Sequence, residues 1–87
     1  MELSKIIEKM KAELKEEIDG IGEYIDMAHE AKEMNQHDLA KHYYEMAREE
    51  YTHAKCIESH LKHYGEIPTM EDVKKLHEME ARLSKSW

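Results

Sequence analysis

Glu50 and His53 are the residues of this chain best suited to do chemistry. They lie in Arg48-Glu49-Glu50-Tyr51-Thr52-His53-Ala54, three residues apart, and so share one face if the segment is helical. That face carries Leu39, Tyr43, Met46, Glu50, His53, Ile57, His60 and Tyr64, which follow one another at steps of four and three. A second seam of the same kind, Leu3, Ile7, Met10, Leu14, Glu17, Ile21, Tyr24, Ala28 and Ala31, is interrupted by Glu17. An isolated buried carboxylate is costly and tends to protonate, whereas carboxylates and an imidazole around a divalent metal satisfy one another. Glu17, Glu50 and His53 are therefore candidate metal ligands. The alternative is a polar layer that sets register, or an ion pair, in a helical dimer.

Three helices must position these residues. The apolar stripes predict one from about Leu3 to Met34, one from about Gln36 to Tyr64, and a third from about Met70 to Lys85. Ile6, Ile18, Ile25 and Met27 widen the first stripe, as expected of a helix in a bundle. Asn35-Gln36-His37-Asp38 reads as an N-cap asparagine with an acidic residue in the following turn, and the short connection makes the long helices antiparallel neighbours. Glu17 lies about sixteen residues before the turn and Glu50 and His53 about fourteen and seventeen after it, so at roughly 1.5 Å per residue all three reach nearly the same height. Two interruptions become one polar layer. Gly20 and Gly22 follow Glu17 closely, which predicts either a helix break at Asp19-Gly20 or the close backbone approach of a partner helix or a bulge beside a site, and the seam's unbroken phase through Ile21 and Tyr24 favours a continuous helix. Ala40, Ala47 and Ala54 form a small-residue stripe that admits another helix, and Gly65 suits a C-terminal cap. Thr69-x-x-Asp72 reads as a capping box, followed by an apolar face of Val73, Leu76, Met79, Leu83 and Trp87.

The composition agrees with an all-α chain. Of 87 residues 38% are charged and 40% hydrophobic, with one proline, three glycines and no phenylalanine. Such a length gives one domain, with residues 1–65 as the ligand-bearing hairpin and 66–87 as its C-terminal helix. A chain this small buries a low fraction of its surface alone, so a metal or second subunit is expected to help. The net charge of −7 argues against nucleic acid and anionic membranes as partners and favours cations. No apolar run is long enough to span a membrane, Met1-Glu2-Leu3-Ser4-Lys5 lacks a signal-peptide core, and Cys56 is the only cysteine. The expected location is the cytoplasm.

Glu17-x6-Tyr24 on one helix followed by Glu50-x-x-His53 on the next resembles the ligand pattern of the ferritin-like, rubrerythrin-like di-iron carboxylate proteins. The resemblance covers roughly Glu16 to Leu61. Complete bundles of that superfamily carry the pattern twice in one chain; this chain carries it once, similar to the encapsulated-ferritin branch, whose sites assemble between subunits. The resemblance implies a homodimer, or a larger assembly of dimers, that forms a ferritin-like four-helix bundle with four carboxylates and two histidines around two metal ions. It implies Glu17 and His53 as terminal ligands, Glu50 as the carboxylate bridging two irons, and Tyr24 as a hydrogen-bond donor to a ligand carboxylate. Glu16 and Asp19 fall near an acidic iron-uptake site of the encapsulated branch. The implied activity is that of a ferroxidase, a di-iron oxidoreductase acting on Fe(II) with dioxygen or peroxide, with manganese as the alternative metal. No C-x-x-C pair is present, so peroxide reduction needs an outside electron donor. Ser84-Lys85-Ser86-Trp87 is not an obvious encapsulin-targeting tail, and a cytoplasmic location stands beside one inside a protein nanocompartment. The other functional reading is a non-catalytic helical dimerisation or metal-sensing module.

The remaining chemistry-bearing residues have plainer expectations. His42, His60 and His63 read as partly exposed or hydrogen-bonded side chains, and Cys56, with no basic partner evident, as a buried small hydrophobe. Met10 and Met46 read as core filling, and Tyr43, Tyr44, Tyr51 and Tyr64 as packing.

Overall fold

The computed structural model describes residues 2–85 and contains three α-helices, α1 (Leu3–Glu33), α2 (His37–His63) and α3 (Met70–Lys85). The two long helices run antiparallel, and α3 packs on both of them within the same chain. The result is a rod 49 × 23 × 15 Å across its Cα atoms.

Both long helices stop in the same way. Asn35 (φ 60°) and Gly65 (φ 75°) take left-handed backbone, the conformation that reverses a helix end. At the first, the Gln36 amide donates to the Ala31 carbonyl (2.8 Å) and the Asn35 amide to that of Lys32 (3.0 Å). At the second, the Glu66 amide donates to the Leu61 carbonyl (2.9 Å) and the Gly65 amide to that of Lys62 (3.0 Å), the same pair of bonds, which is that of a Schellman end. Asn35 therefore closes α1 and does not cap α2; the residue preceding α2 is Gln36, which makes no side-chain cap. The tight reversal demanded a positive φ, and asparagine is one of the few side chains that tolerates it. The Thr69 cap is present, its hydroxyl accepting from the Asp72 amide at 3.1 Å.

The core keeps Ile7, Leu14, Ile21, Ala28 and Ala31 of the expected α1 seam and adds the flanking Ile18 and Ile25, but on α2 it lies one stripe over from the expected seam. Ile7, Leu14, Ile18, Ile21, Ile25, Ala28 and Ala31 are buried on α1, and Ala40, Tyr44, Ala47, Ala54, Glu58 and Leu61 on α2. The alanine stripe is thus the packed face of α2, while Leu39 is 45% exposed and Met10, Tyr24, Tyr43, Met46 and Ile57 are only half-buried. The third helix explains the shift. With α3 seated along one side of the hairpin, each long helix turns toward two neighbours, and the stripe between those contacts becomes the interior. Leu76 and Leu83 are buried and Val73 and Met79 half-buried, as the sequence predicts; Trp87 lies outside the described residues.

α1 runs through Asp19, Gly20 and Gly22 without a break. Gly22 lies under α3, where an added β-carbon would meet the Met79 sulfur at 3.5 Å. An ion pair between Arg82 Nη2 and Asp26 Oδ1 (2.6 Å) ties α3 to α1. No helix of the described residues is long and apolar enough to cross a membrane.

Candidate metal centre

Glu17, Glu50 and His53 converge. Each offers one ligand atom, and these atoms all lie within 4.8 Å of one another, the sole such group of three His, Cys, Asp or Glu side chains among the described residues. Their helices explain the meeting: a three-residue step puts Glu50 and His53 on one strip of α2, and the antiparallel hairpin brings Glu17 of α1 to the same level. The triad sits on the side of the hairpin away from α3. It is a border position, not a core position: the Glu17 side chain is 21% exposed and that of His53 61%.

The electrostatics are those of two carboxylates in close contact. Glu17 Oε2 is shielded from solvent and has no hydrogen bond; its nearest ionic partner is His53 Nδ1 at 3.6 Å. Glu50 is pushed up from 4.5 to about 7, first by proton sharing with Glu17, then by burial and by the Glu17 charge, with His53 acting in the opposite sense. A proton held by Glu50 is the metal-free protein's means of relieving two adjacent carboxylates. A divalent cation would relieve them more fully, since it also supplies the partner that Glu17 Oε2 lacks.

Gly20 has a specific place in this arrangement. A β-carbon there would lie 3.1 Å from Glu50 Oε2, so the glycine leaves the room in which the Glu50 carboxylate stands. The sequence offered a signal for this, a glycine three residues after Glu17 within an unbroken seam, but not the identity of the group it faces.

The donor set fits a hard divalent metal. Two oxygen or nitrogen donors about 2.1 Å from one ion are roughly 3–4 Å apart, so small side-chain rotations close the triad. Three ligands would leave further positions for water or substrate, and two carboxylates neutralise one divalent charge.

Several expected participants lie elsewhere. Tyr24 stacks on Tyr43 (centroids 6.2 Å apart) and makes no hydrogen bond to Glu17, Glu50 or His53. Asp19 borders the hollow between α1 and α3 with Gly22, Lys75 and Arg82, and Glu16 is exposed, so neither joins the triad. Cys56 is exposed, correcting the expectation of a buried hydrophobe, because its strip of α2 faces away from both neighbours. His42, His60 and His63 are exposed.

One buried charge escaped the sequence reading. Glu58 is 7% exposed, with Lys55 Nζ donating to its Oε1 at 3.1 Å and Lys62 Nζ 3.8 Å from the same oxygen. Extending the alanine stripe by steps of four and three from Ala54 reaches Glu58 and then Leu61, and that periodicity was the available signal.

No protein-family model, curated protein or solved structure matches this chain.

Proposed function

We propose that this chain is a ferritin-like di-iron protein, a ferroxidase that oxidises Fe(II) with dioxygen or peroxide at a centre shared between two copies of the hairpin. The supporting observation is the meeting of Glu17, Glu50 and His53 on the open side of two long antiparallel helices. Glu17, Glu50 and His53 would hold the metal, with iron preferred and manganese the alternative. Bound iron supplies the one-electron couple and the open coordination positions at which an oxidant can react. The protein's own part begins with Glu50, which gives up its shared proton as the cation arrives, while Glu17 contributes the desolvated carboxylate oxygen.

The need for a second copy follows from ligand number. One chain supplies two carboxylates and one imidazole, enough for one ion; two chains double the set and balance two divalent charges. Apolar side chains border the triad on the same side, among them Met46, Ile57 and the stacked Tyr24 and Tyr43, and a second hairpin would cover them.

Anaerobic Fe(II) titration followed by air should give about one di-iron centre per dimer and a near-ultraviolet ferric absorption band. Glu50→Ala should abolish that band and leave the helical circular dichroism intact. A protein that takes up no iron sinks the proposal. The exposed Met27 (40%), Met34 (68%) and Leu39 (45%) also suit a non-catalytic helical dimerisation or metal-sensing module. Gel filtration with and without Fe(II), run beside an oxygen-consumption trace, separates the two, because only the ferroxidase consumes oxidant.

A further inference from the structure

The triad stands at mid-length of the rod: Glu17 lies beside the midpoint of α1 (Leu3–Glu33) and Glu50 at that of α2 (His37–His63). A second hairpin laid on the open face can therefore align its own triad with this one in either direction, antiparallel or turn against turn, and still overlap from end to end. We propose that the two copies lie antiparallel, so that the hollow at the turn end of each hairpin, lined by Met27, Glu30, Ala31, Met34, Leu39 and Tyr43, seats Leu3 and Ile6 from the first turn of α1 of the other copy. The two-fold axis rests on the reading of the triad as a shared centre; the direction of the pair and the contacts at its ends go beyond it.

Packing matches level by level. Counted from Glu17 and Glu50 at about 1.5 Å per residue, Met10 and Ile57 lie about 10 Å from the triad toward the end away from the turn, and Tyr24 and Tyr43 about 10 Å toward the turn. Ile6 lies about 16 Å away on the first side and Met27 about 15 Å away on the second. All six are apolar or aromatic side chains that the single chain leaves exposed or half-buried. A two-fold across the rods places α1 over α1 and α2 over α2, and so sets Met10 against Tyr24, Ile57 against Tyr43 and Ile6 against Met27.

Charge selects the direction. Apart from Lys11 and Asp26, which pair with Glu66 and Arg82 of the same chain, residues 3–11 carry Lys5 and Lys9 against Glu8, and residues 23–33 carry Glu23, Glu30 and Glu33 against Lys32. The two ends of α1 are thus of opposite sign, and antiparallel pairing lays the basic end of one copy over the acidic end of the other. Lys5 lies about 18 Å from the triad level and Glu30, on the rim of the hollow, about 20 Å on the other side, so the pair brings them to one height. Turn against turn, α1 would lie over α2 of the second copy, and the acidic stretch would face Asp38 and Glu45, which outnumber Lys41.

Because Cys56 is the only cysteine, Cys56→Ser gives a thiol-free background for single cysteines at the ends of the rod. Under a mild disulfide oxidant, with and without redox-silent Mn(II), a mixture of Ile6→Cys and Met27→Cys chains should give a covalent dimer that neither variant yields alone. A dimer from mixed Met27→Cys and Leu39→Cys chains instead marks the turn-against-turn pair and overturns the proposal. In sedimentation, Lys5→Glu and Glu30→Lys should each weaken association and the double variant should restore it. Absence of both the linked dimer and this rescue also overturns the proposal. Linkage is read without iron: antiparallel pairing in a protein that takes up no Fe(II) breaks the ferroxidase reading alone, and iron uptake with turn-against-turn linkage breaks the antiparallel pair alone.

Discussion

Glu50 and Glu58 stand eight residues apart on one helix, both with reduced solvent contact, and they have opposite surroundings. Glu58 belongs to the packed face and receives Lys55 and Lys62, so its charge is met by the chain itself. Glu50 belongs to the open face and meets another acid, Glu17, with Gly20 beneath it in place of a side chain. A carboxylate with lysine partners is a structural element. A carboxylate paired with a carboxylate is complete only with a proton or a cation. The same difference divides α2 along its length: Ala40, Tyr44, Ala47, Ala54 and Leu61 hold the fold, while Glu50 and His53 join the candidate ligand group.

The largest test of this division is steric. Leu61→Ala empties a fully buried position and should cost about 2–5 kcal/mol in urea denaturation. Leu39→Ala, on the open face, should stay within about 0.5 kcal/mol in the isolated chain. A larger, concentration-dependent loss at Leu39 would mean that a partner covers that face.

The next effect is electrostatic. Glu50 binds its proton more tightly folded than unfolded, because its folded value is about 7 against 4.5. Metal-free stability should therefore fall as pH rises from about 4.5 through 7, the interval in which the native state holds the extra proton. Glu50→Gln should flatten that part of the profile and be the more stable protein above pH 7, as read from denaturation midpoints across pH. A profile unchanged by the substitution would place the proton elsewhere.

Gly20→Ala and Gly22→Ala sharpen the comparison within α1. Alanine in a helix interior gains up to about 1 kcal/mol over glycine, and at Gly22 the new methyl meets Met79 at ordinary contact distance. At Gly20 the methyl must displace the Glu50 carboxylate, so thermal stability should hold or rise while Fe(II) affinity falls in titration. Equal Fe(II) affinity in both variants would remove Gly20 from the site. The smallest effect is expected at Asp26→Ala, where loss of a surface ion pair with Arg82 should cost about 0.2–1 kcal/mol in denaturant, and less in high salt.

Much of this was legible in the sequence, for particular reasons. Helix positions followed from periodicity, and the Glu17, Glu50 and His53 layer followed from counting outward from a short turn, because helical rise converts residue number directly into height. Gly65 and Thr69 declared their caps by residue type. Asn35 misled because asparagine serves equally at a helix start and at a left-handed helix end, and only the path of the chain chooses between them.

What the sequence determined by itself was therefore the local and the one-dimensional: three helices, their order, and which residues share a level. Tertiary structure decided which stripe was core. Heptad spacing marks two adjacent strips equally well, and the seating of α3 against α1 and α2 selected the alanine strip as interior and left the donor-bearing strip open. It also decided what Gly20 faces and how Glu58 is neutralised. Those are properties of side chains meeting across space, and periodicity along one helix carries no information about the chemistry on the next.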